Sequence, residues 1–583
     1  MLSETRVCQN CKQDFRIEPD DAAFFELLKV PVPSRCPNCL LKQRLAFRNE
    51  RTLYRRKCDA PGHTEEIISN CAPDAIGPVY DTKFWWSDEW DPMDAGMEYD
   101  FSKPFFGQFK SLLEKVPSLA LFNWNGVSSD YCNFTTDNKN CYLVFGGDFN
   151  ENCSYSTFNF HSKDTLEAYF VEKCELCYEL IDSESCYRVR FGRYVESCSD
   201  CMFMHDCVGC TNCIGCVGLR SKSYHIFNQP YSKDEYQKEV DKLSLGTRAG
   251  LAAARERFEA LRGSLPQRYA HIFKSTRCTG DNILNASEVR DSFDISGPAQ
   301  NLHYLFLGGW DLKDSRYSDH AGHGVELMYN SMGVFSGCSR VIGSFLVSSS
   351  QDTFYSWVCR SSNNIFGCVG LRNKKYCILN RQYSKEEYEN LLPKIIAHMD
   401  VMPYVSSAGE RYAFGDFYPP DLSRHGYSET VANEYFPLDQ ERASSEGFIW
   451  RERAENNYIP TLRSEDLPNS IHDVSDNILN EVVACGHDGK CGHHCTKAFR
   501  LIAAELAIYR RLDLPLPQVC PNCRHYGRAG QRNPLRLWSR KCDCKKLNHF
   551  HSETPCSNEF ESSFPVSGPE IVYCEQCYQA EVV

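Results

Sequence analysis

A chain of 583 residues is too long for a single hydrophobic core, so several domains are expected. The composition, 42% hydrophobic and 24% charged, is that of a globular protein, and no run of about twenty apolar residues predicts a membrane helix. A net charge of −13 argues against wholesale wrapping of nucleic acid but leaves room for a local basic patch.

Cysteine is the unusual component, with 33 residues. Residues 2–10 contain no apolar signal-peptide region, so we expect a cytoplasmic protein with reduced thiols rather than a secreted disulfide framework. Repeated C-x2-C spacing favours metal binding for some cysteines, and packing as small hydrophobic residues for the others.

Residues 1–80 are predicted to be a small zinc module. Two C-x2-C pairs can direct four thiolates at one ion and complete the tetrahedral shell of Zn²⁺. No position remains for water, so the site is predicted to be structural rather than catalytic. The predicted ligands are Cys8, Cys11, Cys36 and Cys39.

A second N-terminal site is predicted to be degenerate and empty. Cys58 has His63 and Cys71 as its nearest companions, but Asp81 stands where the C-terminal half of the protein has a cysteine. Residues 81–126 follow as an aromatic linker and capping segment. Their sequence FWWSDEWDPMD is expected to cover one end of the next domain or the adjoining zinc module, with a partner-binding strip as the alternative.

Residues 127–231 and 281–383 are predicted to be two copies of one β-helix-like solenoid domain. CVGLRSKSYHIFNQPYSKDEY, from residue 216, returns as CVGLRNKKYCILNRQYSKEEY from residue 368. In the first copy, Cys132, Cys153 and Cys174 are equally spaced, between short segments of strand-like alternation. We therefore expect parallel coils of about 21 residues, with cysteines stacked inside.

Four cysteines of the first copy leave two interpretations open. Their C-x2-C-x2-C-x2-C spacing is similar to that of iron–sulfur ligands. In the second copy, Ser362 and Ile365 take the positions of the two middle cysteines, and an exchange for isoleucine is typical of a core position. Core packing is therefore preferred over metal binding. The four residues are Cys207, Cys210, Cys213 and Cys216.

Each copy is followed by a predicted helix with an S-x-x-E capping box, at Ser232 and at Ser384. Residues 232–280 are a helical insertion between the copies, and residues 384–480 are a capping helix and an extended connector. These helices are expected to cover open strand edges at the ends of the solenoids.

Residues 481–541 repeat the first zinc module. With Cys11 laid on Cys495, the two segments match without a gap from there to Cys58 and Cys542, through CPNC in both. The repeat predicts a second structural zinc site, with the ligands Cys491, Cys495, Cys520 and Cys523.

Residues 542–583 are predicted to be a C-terminal zinc ribbon, which brings the expected number of structural Zn²⁺ ions to about three. Cys544 and His551 are spare candidates for this site. The preferred ligands are Cys542, Cys556, Cys574 and Cys577.

The motif VCQNCKQDF…PVPSRCPNC resembles a small zinc-ribbon, treble-clef-like family. The whole chain, including its GPEIVYCEQC tail, resembles uncharacterised zinc-ribbon proteins of candidate-phyla (Patescibacteria-type) bacteria. The resemblance implies treble-clef folds for residues 1–80 and 481–541 and bound zinc, and no established activity.

An arginine series follows the second C-x2-C pair of each module. Its 4-3-4 spacing predicts one helical face, which could bind the phosphates of RNA, a ribosome or another nucleic acid. The alternatives are a solvated face or ion pairs within the protein. The candidate residues are Arg44, Arg48, Arg51, Arg55, Arg528 and Arg532.

An enzyme is the remaining alternative, with a site near His320 and His323, where SDHAGHGVE also supplies Asp319 and Glu326. No catalytic residue is predicted, because nothing organises these groups into a known constellation. The preferred interpretation is a mainly β protein with α insertions, acting as a non-enzymatic zinc-binding scaffold. Its protein or RNA partner and its oligomeric state are not predicted, and no membrane association is expected.

Overall fold

The computed structural model describes residues 3–452, 458–547, 549, 551 and 555–582. The chain is mainly β with several helices, as predicted. It divides into two compact units, and each unit combines one of the predicted zinc modules with one large sheet. The first contains Met1–Leu121, Ala270–Glu452 and Leu535–Leu537; the second contains Phe122–Tyr269, Arg453–Pro534 and Trp538–Val583. The finer division into eight segments stays a prediction.

The second unit contains an eight-stranded sheet whose strands lie side by side in chain order. Seven are parallel, and the last pairs antiparallel with its neighbour. The strands are Thr157–Phe160, Tyr169–Glu172, Tyr178–Glu184, Arg190–Glu196, Met202–Val208, Thr211–Val217, Ser223–Ile226 and Gln229–Pro230.

The parallel register of this sheet has a shorter step than the predicted coil. The register advances by 12 from one strand to the next, as between Ser183 Oγ and Val195 N, which are hydrogen-bonded at 3.2 Å. Thr157 pairs with Tyr169 in the same way, and single bridges carry this offset back to Val127. Left-handed backbone recurs at every third residue, for example at 134, 137, 140 and 143, so the chain bends after each triplet.

One residue of each triplet points into the core. This explains why cysteines are spaced by multiples of three and why their spacing predicted a coil of the wrong length. The buried cluster contains residues 174, 177, 180, 186, 189, 195 and 198, all separated by multiples of three. The interval between Cys132, Cys153 and Cys174 is also a multiple of three, so it recurs among core cysteines without being the register. Cysteine suits these positions because it is small and its thiol can donate weakly to a carbonyl, as Cys177 does to Glu175 O at 3.3 Å.

The C-x2-C-x2-C-x2-C series belongs to this core. All four thiols are fully buried in the same cluster. Each donates to the carbonyl two residues earlier, for example from Cys207 to His205 O at 3.3 Å and from Cys216 to Ile214 O at 3.3 Å. These contacts favour the packing interpretation.

The first unit contains a 14-stranded, largely parallel sheet around the long strand Thr276–His303. Its register advances by 13 from Phe306 to Asp319, and by 12 from Phe345 to Trp357. The other strands are Ile272–Phe273, Phe306–Gly309, Leu312–Arg316, Asp319–Gly322, Val325–Tyr329, Met332–Phe335, Ser339–Ile342, Phe345–Ser348, Gln351–Phe354, Trp357–Arg360, Asn363–Phe366, Lys375–Ile378 and Arg381–Gln382.

The two predicted zinc modules have the same order of elements. Each has a short antiparallel strand pair, a first helix, a second helix that begins at the CPNC motif, and a further strand pair. We call that second helix the knuckle helix. The N-terminal elements are Glu4–Val7, Asp14–Ile17, Pro19–Leu28, Pro37–Leu45, Tyr54–Lys57 and Glu66–Ser69. The C-terminal elements are Val483–Ala484, Ala498–Phe499, Ala503–Leu512, Pro521–Ala529, Trp538–Lys541 and Glu559–Ser562, followed by Val572–Tyr573 and Glu575–Gln579.

Helices lie at the ends of both sheets. Lys233–Leu243 and Lys385–Val401 begin with the two predicted capping boxes, and each packs beside a late strand of its sheet. Arg248–Ser264 lies within the predicted helical insertion. In the aromatic segment, Trp85 is buried and Arg372 lies over its ring at 5.6 Å, so this segment packs on the 14-stranded sheet of its own unit. Within the described residues, no helix combines the length and apolar character needed to cross a bilayer.

Candidate metal centres

The N-terminal module brings its four predicted cysteine ligands together. Cys8 follows the first strand, and Cys36 is the N-cap of the knuckle helix that contains Cys39. The four sulfur atoms lie within 4.8 Å of one another, and the Cys11 and Cys36 sulfurs are 3.7 Å apart. A tetrahedral zinc site with bonds of about 2.3 Å has sulfur atoms about 3.8 Å apart. This group could therefore hold a metal ion.

Polar groups around this cluster favour thiolate. The amide of Cys36 donates to Cys8 Sγ at 3.2 Å, and Asn10 Nδ2 donates to Cys39 Sγ at 3.4 Å. Hydrogen bonds from Cys36 and then Cys39 lower the pKa of Cys8, whereas sharing with Cys39 and Cys8 raises the pKa of Cys36. Without a cation the four sulfurs compete for negative charge, and a divalent ion would relieve that competition.

The C-terminal module forms an equivalent cluster with one ligand that sequence reasoning missed. Cys485, Cys495, Cys520 and Cys523 lie within 4.8 Å of one another, and the last two sulfurs are 3.5 Å apart. Cys485 follows the strand Val483–Ala484 as Cys8 follows its strand, and its sulfur accepts from the amide of Cys520 at 3.3 Å. Its position directly after a short strand, like that of Cys8, was the available signal, but Cys485 lies outside C-x2-C spacing. The predicted Cys491 lies in an adjacent group with Cys523.

The C-terminal ribbon brings its four predicted cysteines together, all buried. The amide of Cys574 donates to Cys542 Sγ at 3.3 Å, and Asn558 Nδ2 donates to Cys574 Sγ at 3.3 Å. Burial raises the pKa of Cys542 to about 11. The spare candidates Cys544 and His551 lie in a second group with His549 and Cys577.

The corresponding N-terminal position has different chemistry. Asp81 N donates to Cys58 Sγ at 3.2 Å, just as Cys574 N does to Cys542. The Asp81 carboxylate caps the helix Thr82–Trp85 by accepting from Lys83 N at 2.9 Å. The Phe84 ring lies 4.7 Å from the His63 ring. This position therefore has a capping carboxylate and an aromatic ring beside Cys58; that it holds no metal stays a prediction.

The predicted arginine face of the N-terminal module is largely buried, which corrects the interpretation of its first members as a phosphate-binding surface. Arg44 has no exposed side-chain area and pairs with Asp319, which is equally buried. Its Nη1 also donates to Asn330 Oδ1 at 3.0 Å. Arg48 is 4% exposed and pairs with Glu50. Of the predicted series in this module, Arg55 is the exposed member, at 66%.

The C-terminal arginines are buried in the same way. Arg528 is 2% exposed and pairs with the buried Glu167. Arg524 Nη1 lies 2.7 Å from a Glu167 oxygen and 2.9 Å from Glu505 on the first helix of its module. Arg532 pairs with Asp182 at 2.9 Å. The prediction of one helical face was wrong in part: the N-terminal knuckle helix ends at Leu45, so Arg44 lies in it and Arg48, Arg51 and Arg55 lie beyond it, and the C-terminal knuckle helix ends at Ala529, before Arg532.

The four residues of the enzyme alternative contact different neighbours. His320 is buried, its ring lies 5.6 Å from Phe306, and burial lowers its pKa well below the ordinary value. His323 stacks on Trp310 at 5.5 Å. Glu326 accepts from Ser339 Oγ at 3.1 Å. Asp319 pairs with Arg44, so the four side chains have four different sets of contacts.

Comparison with known proteins identifies no family. No family model matches the chain, and no curated protein does. One similar solved structure is that of a candidate acetyltransferase from Desulfovibrio desulfuricans G20, at 11% identity over 49% of this chain and 84% of that one. Its TM-score of 0.10 is too low to support an argument about fold or activity. The cysteine clusters, which could hold metal ions, are therefore the functional feature that stands on direct geometry.

Proposed function

We propose that this protein is a non-enzymatic cytoplasmic scaffold that presents β-solenoid surfaces to a protein partner and holds them with structural Zn²⁺. The observation that carries the proposal is that the knuckle helices connect the cysteine clusters to the sheets. Each begins at a cysteine of a four-cysteine cluster, and each pairs a buried arginine with a buried carboxylate: Asp319 in a strand of one sheet, and Glu167 just before a strand of the other. A metal ion that fixes the start of the helix also fixes the arginine.

Zinc is the metal that this donor set supports best. Four thiolates in a closed tetrahedral arrangement are typical of structural zinc, and no open position remains for a reacting water. In modules this small the apparent metal-binding free energy, about 10 to 16 kcal/mol in zinc-finger peptides, is also folding free energy. Zinc would therefore determine whether each module can dock on its sheet.

The solenoid assignment rests on register. Parallel pairing at a nearly constant offset of 12 or 13, with one inward residue per triplet, is what stacked short coils produce. A solenoid offers a long, regular surface, which such proteins use for extended contacts with partners. A helix packs beside the late end of each sheet, so the lateral surface is the part that we expect a partner to reach.

Elemental analysis of the reduced full-length protein tests the metal assignment. We expect at least three zinc ions per chain, with one lost in each of Cys39→Ser, Cys520→Ser and Cys556→Ser. Cys186→Ser is the matched control, because its thiol packs in the solenoid core and donates to Glu184 O. Protein that contains no metal, or disulfides between the clustered cysteines, would refute the assignment.

A pull-down from native cytosol, with and without nuclease, tests the scaffold role. Recovery of one protein partner that survives nuclease and is lost after zinc chelation is the expected result. Recovery that nuclease abolishes would instead favour the RNA-binding alternative and overturn the proposal.

A further inference from the structure

The C-terminal zinc module contains a segment that its N-terminal counterpart lacks. Nine residues separate Cys485 from Cys495, whereas two separate Cys8 from Cys11, a difference of seven. The longer segment, GHDGKCGHH, adds potential metal ligands between the first two cysteines of the site. The equivalent N-terminal segment, Gln9 and Asn10, adds no such side chain.

The backbone folds this segment back toward the knuckle helix. Asp488 and Gly489 have positive φ angles of 47° and 73°, and Lys490 N donates to His487 O at 2.8 Å. The ring of His493 stacks on Tyr526 of the knuckle helix, with centroids 6.0 Å apart. Through this turn, donor atoms of four residues come within 4.8 Å of one another: His487, Cys491, His493 and Cys523.

A single metal ion cannot bind both this group and the four-cysteine cluster. Cys485, Cys495, Cys520 and Cys523 already fill one tetrahedral shell. The Cys491 sulfur nevertheless lies 3.5 Å from the Cys523 sulfur, closer than Cys485 does at 3.9 Å. A fifth thiolate at this distance would add repulsion to a complete shell unless it binds an ion of its own.

The two histidines of this group also point to a ligand. The Nδ1 atoms of His487 and His493 are buried and have no hydrogen-bond partner in the part of the chain that the structure describes. Burying a polar atom without a hydrogen-bond partner is unfavourable. Coordination of a metal by both nitrogens would remove this penalty.

We propose that the C-terminal module binds two metal ions, the second held by His487, Cys491 and His493 and sharing the Cys523 thiolate with the first. Two imidazoles and two thiolates in a tetrahedral arrangement suit Zn²⁺. This inference rests on metal binding by the four-cysteine cluster in the proposed function.

The C-terminal ribbon shows the same arrangement in a different insertion. Cys544, His549 and His551, which lie between Cys542 and Cys556 in sequence, have donor atoms within 4.8 Å of one another and of Cys577. Cys577, like Cys523, is the second cysteine of a C-x2-C pair and lies in the helix that follows it. The recurrence supports a shared thiolate as a feature of this half of the protein.

The metal content of full-length variants tests the second ion. His487→Ala/His493→Ala should contain one zinc ion fewer per chain than the wild type, with an unchanged circular dichroism spectrum. His494→Ala is the matched control, because its ring lies against Tyr526 at 5.1 Å and is outside the group. Equal zinc content in the wild type and the double variant would overturn this inference alone, whereas a wild type without zinc would overturn the proposed function as well.

Magnetic measurements on cobalt-substituted protein test the shared thiolate. Two Co²⁺ ions bridged by one sulfur couple antiferromagnetically, so the magnetic moment per cobalt should be higher in His487→Ala/His493→Ala than in the wild type. An unchanged moment per cobalt would show that the ions do not share Cys523.

Discussion

Replacing Arg44 by methionine should destabilise the first unit strongly. Arg44 and Asp319 are both fully buried, and the substitution removes the cation while leaving the carboxyl in place. Losing one member of a buried ion pair costs about 3 to 5 kcal/mol. Burial already raises the pKa of Asp319, and without Arg44 that pKa should rise further. Because a protonated carboxyl is less costly to bury, the loss should be greater at pH 7 than at pH 5.

Urea unfolding followed by tryptophan fluorescence measures this loss. Trp357 is a suitable reporter, since its ring lies 5.9 Å from Phe47, which follows the N-terminal knuckle helix. Arg44→Met/Asp319→Leu should recover much of the stability, because no charge is then left unpaired. Arg55→Met is the control and should leave the midpoint unchanged, since Arg55 is 66% exposed and 4.0 Å from Glu66.

A decrease of less than about 1 kcal/mol in the free energy of unfolding for Arg44→Met would refute the reasoning, because a loss that small is typical of exposed ion pairs and not of buried ones. The knuckle helix would then not be docked through this pair in solution. Salt-sensitive RNA binding by the wild type, lost in Arg44→Met, would return the arginine face to its phosphate-binding interpretation.

Three further outcomes are expected. Zinc chelation of the reduced protein should make residues 3–80 and 481–582 protease-sensitive before either sheet is cleaved; cleavage of the sheets first, seen by mass spectrometry, would contradict the proposed dependence on metal. Desolvation, followed by Arg193 and Arg262, lowers the pKa of His205 to about 3. Since an unfolded histidine titrates near 6.5, the folded state binds fewer protons, and stability that is complete above about pH 6.5 should fall by about 2 kcal/mol at pH 5. His205→Gln should remove that part of the slope in urea titrations, and an unchanged slope would refute the assignment. Inserting a second copy of residues 139–150 adds one full step of the register and should preserve cooperative unfolding. Inserting a second copy of residues 130–150 adds the longer predicted coil and should disrupt cooperative unfolding. Equal unfolding behaviour of the two insertion variants would contradict the observed register.

The sequence was sufficient to predict a mainly β chain with cysteine clusters, because C-x2-C pairs and strand alternation are local signals. The register was not predictable from cysteines alone. Inward positions recur at every third residue, and serine or asparagine fills several of them, as at Ser156 and Asn159. Cysteine separations are therefore multiples of three, and no one multiple is preferred. The cysteine spacing alone could not distinguish the interval between Cys132, Cys153 and Cys174 from the true step of the register.

The other features that the sequence did not predict depend on residues far apart in the chain. The spacing of the arginines does not show that the helix ends at Leu45, and the burial of Arg44 depends on Asp319, which is 275 residues away in the chain. Cys485 was missed for a related reason, since the longer segment before Cys495 breaks the spacing on which the ligand assignment relied. Folding, rather than sequence distance, brings these residues together.

The pairing of the N-terminal module with a sheet far along the chain has a consequence for synthesis. The N-terminal knuckle helix cannot bury Arg44 until Asp319, 275 positions later, has been translated. At about 5 to 20 residues per second this delay is roughly 15 to 55 s, long compared with the formation of a helix or hairpin. Throughout that interval the nascent N-terminal module exposes a cationic and aromatic surface that lacks its partner residues. We therefore expect chaperones at the ribosomal exit tunnel to bind this module.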